Sequence, residues 1–447
     1  MIQMSRRLKD YLLKASALIF ILLFNQLTGF SQDSVVLNLD DAIKTAVTNN
    51  ANVQMAKTDE AIAASQYKET NAVFLPQLGV SYTAITTNNP LNAFGFKLQQ
   101  QSIKQSDFTP DLLNNPSGTP DFMTKVDLKQ PIINMDMLYQ RKSAEKQIEV
   151  YQYKTQRTKE YITFQVQQAY LQLQLAYDAK KVLEEALQTA QAMYKFTSDH
   201  YDQGLIQKSD LLNAQVQVTT IESNIADTKS NIENASDFLS QLMGKDKGII
   251  YDVPASSAFN AISAADSLPA SRADFKATET AINSYDLMIK SNKMSYLPKL
   301  NAFATYQLND NSAFGFGSNA YLVGAQLSWD IFKGTSTKNK INTQTLERNK
   351  LQEQLENQKE ENKVELNKAY RQLSDAQLKI NQQKAAVEQA SEALRILQDR
   401  YQQGLVNTTD VLMAQTQLSQ QKLAYAQAVF SSNMAIAYIQ FLTATNN

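Results

Sequence analysis

The apolar positions of this chain follow a helical rhythm over two long segments. In residues 134–200 the steps between Ile162, Val166 and Ala169 are four and then three, and the same steps return in residues 338–400. A sustained period near 3.5 residues is typical of helices that supercoil against neighbouring helices. The first helix would be roughly 100 Å long at ~1.5 Å per residue, and a globular domain has no place for it.

Shorter segments follow a period of two. In the first of them Leu78, Val80 and Tyr82 alternate with Gly79 and Ser81, which predicts a strand with one apolar and one polar face. We predict four such strands, over residues of about 76–87, 122–133, 298–309 and 320–332. The proline-containing segment between the first two strands, residues 88–120, has no clear period and is predicted to be a loop.

Strands of this length suit the thickness of an outer-membrane hydrocarbon layer. Four strands cannot close a barrel, and an open edge in lipid would leave backbone groups unpaired at a cost of several kcal/mol each. Three chains would supply twelve strands, whereas two would supply eight, and an eight-stranded barrel is filled by its own side chains. A duct therefore favours three chains. The alternatives are a pair of hairpins in a soluble protein and an ordinary coiled coil without a tube.

The chain is built from two copies of one unit. Residues Tyr201–Gln215 recur as Tyr401–Gln415, with tyrosine, glycine, leucine and aspartate at matching positions. The glycine between two helical segments predicts a tip where one long helix ends and another begins. We expect a mainly α-helical fold from a duplicated helix-strand-strand-helix-helix unit. The predicted segments are a first repeat at 32–243 with long helices at 134–200 and 208–243, a connector at 244–271, and a second repeat at 272–447 with long helices at 338–400 and 408–443.

The first residues of the chain carry a targeting signal. Arg6 and Arg7 precede the short apolar segment Ala15–Leu23, and small residues follow up to Ser31. This segment is too short for a typical membrane-spanning helix, so we predict a signal peptide over residues 1–31. A retained N-terminal anchor is the alternative.

Composition removes several classes of function. The 447 residues include 43 basic and 44 acidic side chains, no cysteine and a single histidine, His200. A net charge of −1 offers no basic surface for nucleic acid. The absence of cysteine excludes disulfides, thiolate metal sites and cysteine nucleophiles. We find no nucleophile motif, no paired acid and base and no phosphate loop, so we expect neither an enzyme nor a site for a cofactor or metal.

The strand boundaries and the tips carry a resemblance to a known family. Its carriers are the strand entries Leu75–Leu78 and Leu297–Leu300, the strand exit Leu327–Trp329, and the two tips of pattern Tyr-x-x-Gly-Leu-x-x-x-x-Asp. With these motifs the chain resembles the TolC-type outer-membrane efflux channels over nearly all of its mature length. The resemblance implies a homotrimer in outer-membrane lipid, with a twelve-stranded transmembrane β-barrel and a helical coiled-coil tunnel in the periplasm. It also implies a passive exit duct for efflux or type I secretion, recruited by a periplasmic adaptor and an inner-membrane pump.

The tips are the candidate working parts. If a trimeric tunnel narrows there, Asp210 and Asp410 would place six carboxylates at one constriction, where their field selects cations and can hold a divalent ion. The alternative is that each aspartate only caps the helix that follows it. The resemblance adds a tyrosine–aspartate contact at the closed entrance, carried here by Tyr401 and Asp210, with Tyr201 at the matching position of the first tip. An arginine that serves in some members is replaced here by Val406.

The glycines of the tips are the second candidate feature. The resemblance places the hairpin tips of the adaptor in grooves around Gly204 and Gly404, because a residue without a side chain lets another backbone approach closely. Leu205 and Leu405 would add small apolar contacts. The alternative is that each glycine is needed only for the turn.

Two other functions compete with a channel. A periplasmic coiled-coil adaptor or scaffold without a pore would use the helices, but it leaves the four strands unexplained. A surface adhesin would need residues 88–120 to bind a ligand. The transported substrate stays open, because the pump selects it.

Overall fold

The computed structural model of the chain describes residues 35–255, 257, 259 and 268–444. The predicted signal peptide at 1–31 lies outside the described residues, as does part of the predicted connector at 244–271. The α-helices are α1 (Leu39–Asn49), α2 (Ala51–Glu69), α3 (Pro90–Gln99), α4 (Pro110–Asn114), α5 (Met135–Asp202), α6 (Lys208–Met243), α7 (Ala273–Met294), α8 (Ser336–Gln402) and α9 (Thr408–Leu442). The strands are β1 (Val35–Val36), β2 (Gln77–Thr87), β3 (Thr119–Ile133), β4 (Tyr251–Asp252), β5 (Lys299–Asp310) and β6 (Ser318–Ser328).

Four long helices dominate the fold and repeat in pairs. Helices α5 and α8 have 68 and 67 residues, and α6 and α9 have 36 and 35. The apolar seam is buried in both copies, since Ile162 and Val166 are 0% exposed and Leu366 and Ala369 are 4% and 0% exposed. The prediction of a mainly helical, duplicated fold is confirmed. Among the described residues, no helix combines the length and the apolar character that crossing a membrane requires.

Strands β2, β3, β5 and β6 form one antiparallel sheet in that order. The pairing places one apolar row across all four strands, formed by Val80, Val126, Tyr306 and Tyr321. The next row points to the opposite face, because successive side chains of a strand alternate. It is formed by Ser81, Lys125, Gln307 and Ala320. The sheet therefore has an apolar face and a polar face, as the alternation in the sequence predicts.

Two details of the sheet differ from a simple alternation. Phe303 lies on the polar face opposite Gly324, and a Cβ on Gly324 would come within 2.9 Å of the Phe303 ring. The ring therefore fills the space that the glycine leaves empty. Strand β6 ends at Ser328, earlier than predicted, where it pairs with Lys299. The partner strand β5 begins at Lys299, because the preceding Pro298 has no N–H for a further ladder bond.

Residues 88–120 are not the loop that the sequence predicts. They contain α3, α4 and a 3₁₀ turn at Gln105–Phe108. Pro90 and Pro110 open the two helices, at a position where the missing N–H is not needed, so these prolines start helices instead of breaking them. The side chain of Asn89 caps α3.

The chain divides into two compact units. The first comprises Met1–Asn50, Ile162–Ala261 and Gln372–Ala437. The second comprises Ala51–Tyr161, Ile262–Arg371 and Tyr438–Asn447. Both tips belong to the first unit, and the four-stranded sheet belongs to the second.

Candidate functional site at the helical tips

Both tips use the same backbone turn. At the first tip Gly204 has a φ of +74° and its N–H donates to the carbonyl of Tyr201 at 2.9 Å. The N–H of Leu205 donates to the carbonyl of His200, also at 2.9 Å. These two bonds define the Schellman motif, in which a residue in the left-handed conformation satisfies the last carbonyls of a helix.

The second tip repeats this geometry. Gly404 has a φ of +71° and donates to the carbonyl of Tyr401 at 2.9 Å. The N–H of Leu405 donates to the carbonyl of Arg400 at 3.0 Å. The duplication seen in the sequence therefore extends to individual hydrogen bonds.

The glycines are required by the shape of the turn. A Cβ built on Gly204 or Gly404 meets no atom within 4 Å, but an L-amino acid with a side chain is strained at these φ values. The turn alone therefore accounts for the glycines within the chain. The leucines that follow them, Leu205 and Leu405, are 64% and 68% exposed, although the residue at this place of the motif frequently packs back on the helix. The docking of a partner at the glycines stays a prediction.

The helices that leave the tips begin differently. At the second tip the N–H of Asp410 donates to Asn407 Oδ1 at 2.9 Å, and the N–H of Asn407 donates to Asp410 Oδ2 at 3.2 Å. This reciprocal pair is a capping box, which satisfies two free donors of a helix start. At the first tip the equivalent residue is Gln207, whose side chain makes no capping bond. The alternative role of the aspartates, helix capping, is thus observed for Asp410.

Tyr401 joins the start of α9 to α5, the helix that leads into the first tip. Its hydroxyl lies 2.8 Å from Thr408 Oγ1 and 3.4 Å from Thr197 Oγ1, and its ring centroid lies 5.0 Å from that of Phe196. The predicted contact of Tyr401 with Asp210 is not among the hydrogen bonds of the described residues in this single chain. It stays a prediction for an assembly of several copies.

The two returning helices also differ in burial. At the start of α9, Val411 and Leu412 are 0% and 8% exposed, and they pack with Met193 and Leu394 in one apolar cluster. At the start of α6, the equivalent Leu212 is 47% exposed. The start of α9 is therefore covered by a core to which the helices of the first tip contribute Met193 and Ala214, whereas Leu212 at the start of α6 presents apolar surface to its surroundings.

Asp210 has the freer carboxylate of the two. It is partly exposed, and within the described residues its side chain accepts no hydrogen bond, whereas Asp410 is held in its capping box. No three histidine, aspartate or glutamate side chains of the described chain gather closely enough to hold a metal ion. Six carboxylates at one constriction would require other copies of the chain.

Sequence reasoning missed three residues around Tyr401. Asn407 had a readable signal, since an asparagine three residues before an aspartate at a helix start is the spacing of a capping box. Thr408 is the first residue of the same helix, and its position there does not indicate the bond to Tyr401. Thr197 had no signal, because its contact with Tyr401 joins two helices that are about 200 residues apart in sequence.

The chain is similar to proteins of one kind. It matches the outer membrane efflux protein family over residues 42–245 and 264–447. It is 23% identical over 439 residues to outer membrane protein TolC of Salmonella enteritidis, covering 92% of this chain and 83% of the relative. Among solved structures, CusC matches with a TM-score of 0.76 and 16% identity, covering 94% of this chain and 96% of CusC. The CmeC outer membrane channel of Campylobacter jejuni matches with a TM-score of 0.74 and 17% identity, covering 93% and 90%.

The family match includes the main elements of the fold. Its two segments contain both tips, the four strands of the sheet and the four long helices. Members of the family are passive channels and not enzymes, and they lie in the outer membrane with a helical tunnel in the periplasm. The chain belongs to the outer membrane efflux protein family and is an outer-membrane channel of an efflux system.

Proposed function

We propose that three copies of this chain form a passive exit channel, recruited by a periplasmic adaptor and an inner-membrane pump. The copies share one twelve-stranded barrel in the outer membrane, and their tips form the periplasmic gate. The observation that carries this proposal is a two-faced, four-stranded sheet whose outer strands have free edges.

The free edges call for pairing between copies. Within the described residues the outer edges of β2 and β6 pair with no strand. Val80 on β2 and Tyr321 on β6 are 70% and 81% exposed, so these strands present apolar side chains beside unpaired backbone. In lipid each unpaired backbone group costs several kcal/mol. Pairing β2 of one copy with β6 of the next removes this cost, and three sheets give twelve strands, within the range of such barrels.

The two faces of the sheet assign the inside and the outside of the barrel. The apolar row that contains Val80 and Tyr306 faces lipid. The polar face carries Lys125, whose Nζ lies 3.0 Å from Asp127 Oδ1, and Thr305, which donates to the same carboxylate oxygen at 2.6 Å. Side chains that are already paired along the wall suit a duct, because they bind a passing solute weakly.

The first tip supplies the moving part of the gate. Asp210 repeats three times around the axis with a carboxylate that no group in the described part of its own chain holds, so Tyr401 of a neighbouring copy or a bound cation stabilises the closed state. Asp410 has a smaller part in closure, because it is committed to the start of α9. Opening is a shift of populations, in which the adaptor and the pump bind the open tips better than the closed ones.

The exposed leucines supply the docking surface. Leu205 and Leu405 flank open space at the glycines, and this space admits the backbone of a partner hairpin. The surface occurs twice in each copy, so a trimer offers six related grooves.

Reconstitution in planar bilayers tests the channel and its gate together. We expect the purified chain to be trimeric and to give a small conductance. The conductance should rise in Asp210→Ala, because this variant lacks the carboxylate that Tyr401 of a neighbouring copy or a cation binds in the closed state. The matched control is Asp202→Ala, which removes the same charge from an exposed position of the same tip and leaves the conductance unchanged. A chain that stays monomeric, or that conducts in neither Asp210→Ala nor its double variant with Tyr401→Phe, is a scaffold without a pore.

Crosslinking tests the docking surface. The chain contains no cysteine, so single cysteines carry a crosslinker at one chosen place. We expect Leu205→Cys and Leu405→Cys to capture a co-expressed adaptor. The control is Phe238→Cys, which is 45% exposed on α6 far from the tip along the sequence. Equal capture by all three variants would contradict docking at the glycines.

A further inference from the structure

The segment between β2 and β3 is a folded body at one end of the sheet. We call residues 88–118 the outer insert; it contains α3 and α4. It connects the end of β2 to the start of β3, whereas the other ends of these strands connect to helices α2 and α5. Since the helical tunnel of the family lies in the periplasm, the insert lies at the outer end of the barrel.

Buried polar contacts fasten the outer insert to the sheet. The Gln100 side chain donates to Asp121 Oδ1 at 2.9 Å and to the carbonyl of Pro120 at 2.8 Å. Asn309 Nδ2 donates to the two oxygens of the Asp121 carboxylate at 3.2 and 3.0 Å. Gln100, Asp121 and Asn309 are 8%, 1% and 1% exposed. Removing the Asp121 carboxylate would take away both acceptors of the buried Asn309 side-chain amide, which makes this attachment specific.

These contacts are on the polar face of the sheet. Asn309 pairs with Met123 on β3 and with Ser318 on β6. Asp121 lies two residues before Met123, and Lys125 lies two residues after it, so all of them point to one face. Ser318 in turn donates to the carbonyl of Gln99 at the end of α3. Helix α3 is therefore held over the face that lines the lumen, and not over the face that meets lipid.

The outer insert is internally braced. Lys97 Nζ lies 2.8 Å from Asp107 Oδ1, and the backbone N–H of Lys104 donates to Asp107 Oδ2 at 2.7 Å. The hydrogen bond from Lys97 lowers the pKa of the Asp107 carboxyl, so the pair stays charged near neutral pH. The rings of Phe94 and Phe108 meet edge to face at 5.6 Å. These contacts favour one fixed shape over a mobile loop.

Three such inserts would nearly fill the outer mouth of the proposed barrel. Twelve strands spaced about 4.8 Å apart and tilted by about 40° give a barrel roughly 24 Å across between backbones. Three helices of about 10 Å diameter, side by side, need a circle roughly 22 Å across. The insert also exposes apolar side chains that other copies would cover in such a mouth: Leu91 is 81% exposed and Leu98 is 53% exposed.

We propose that the outer inserts of three copies meet inside the barrel and form a fixed constriction at its outer mouth, which sets the size limit for export independently of the periplasmic tips. This inference rests on the proposed trimeric barrel. The channel then has two narrow points in series. The tips respond to the adaptor and the pump, whereas the outer mouth is held by hydrogen bonds within each chain.

Removal of the insert tests the constriction. Thr87 and Thr119 are paired across β2 and β3, so an Asn-Gly turn in place of residues 88–118 joins the strands in register. In planar bilayers, in the Asp210→Ala background, we expect this deletion to raise the conductance about twofold or more, because the pore loses one of two constrictions in series. Larger polyethylene glycols added on the outer side would also enter the pore. An unchanged conductance and an unchanged polymer cut-off overturn the proposal.

Cysteine labelling keeps the proposal testable if the deletion fails to fold. In the full-length trimer we expect Leu91→Cys to form disulfides between copies under mild oxidation. We also expect a bulky maleimide on this cysteine, added from the outer side, to lower the conductance. The control is Tyr321→Cys, which is equally exposed at 81% but lies on the apolar face of β6, and which should do neither.

The outcomes separate this inference from the proposed function. Absence of disulfides and of block at Leu91→Cys, in a trimer that conducts, rejects the outer constriction alone. Failure of the unaltered chain to form a conducting trimer rejects the proposed function, and this inference with it.

Discussion

The two tips have the same turn and different helix starts. Both glycines adopt the left-handed conformation, with φ values of +74° and +71°, and both following leucines are mostly exposed. At the second tip a capping box and the bond between Tyr401 and Thr408 brace the start of α9. At the first tip the side chain of Gln207 makes no capping bond, and Lys208, which aligns with Thr408, is exposed.

This difference shows how a duplicated element divides its work. The glycine fixes the path of the backbone, so it is shared by both copies. The residues on the returning helix fix how firmly that helix starts, and they have diverged. We therefore assign support to the second tip and motion to the first, since the elements that move are drawn from the less stable parts of a fold.

The largest effect is expected from the apolar contacts. Leu412→Ala removes a side chain that is 8% exposed in the apolar cluster shared by the helices of the tips, and Leu212→Ala removes its 47% exposed counterpart. We expect the free energy of local opening at the start of α9 to fall by about 2–5 kcal/mol in the first variant. At the start of α6 the loss should stay below about 1 kcal/mol. Hydrogen exchange of the tip amides measures both. Equal losses would show that another copy packs on Leu212 as tightly as this cluster packs on Leu412.

A smaller effect is expected from the capping box. Asn407→Ala removes the acceptor for the N–H of Asp410 and should destabilise the start of α9 by about 1 kcal/mol. Gln207→Ala removes a side chain that makes no capping bond, so the start of α6 should keep its exchange rates. If both variants speed exchange alike, the difference between the two caps has no energetic meaning.

The hydroxyl of Tyr401 gives the third comparison. Tyr401→Phe keeps the ring beside Phe196 but removes the bond to Thr408, at an expected cost of about 0.5–1.5 kcal/mol for local opening of the second tip. Tyr201→Phe is the matched control, because the first tip has Lys208 in place of that threonine. Hydrogen exchange of the first turn of α9 checks the loss. No change in Tyr401→Phe would assign the tyrosine to contacts between copies alone.

The sequence predicts the tips well as far as local chemistry determines them. The left-handed turn follows from Gly204 and Gly404, because glycine adopts such φ values without strain. The long helices follow from an apolar period that persists over many turns, so a single polar residue in the seam does not change the prediction. The Asn407–Asp410 box could also have been predicted from spacing.

Other features depend on contacts that no local pattern encodes. The bond of Thr197 to Tyr401 and the burial of Leu412 arise only when distant helices meet. The outer insert was missed for another reason. A proline breaks a helix in its interior but favours a helix at its first position. Because residues 88–120 have no clear period, the sequence does not show which case applies to Pro90 and Pro110.

The smallest effect tests the comparison most directly, because it converts one tip toward the other. Asp210 already occupies the third helical position after residue 207, as Asp410 does after Asn407. Gln207→Asn should therefore complete a capping box and stabilise the start of α6 by about 0.5–1 kcal/mol. Slower hydrogen exchange in the first turn of α6 would report this gain.

The same variant also tests the division of work between the tips. Once Asp210 caps its own helix, its carboxylate is less available to a neighbouring copy or a cation, so we expect the closed channel to leak more although its first tip is more stable. Gln207→Ala is the control for loss of the glutamine. A stabilised α6 with an unchanged closed-state conductance would mean that closure does not depend on a free Asp210, and the assignment of motion to the first tip would be wrong.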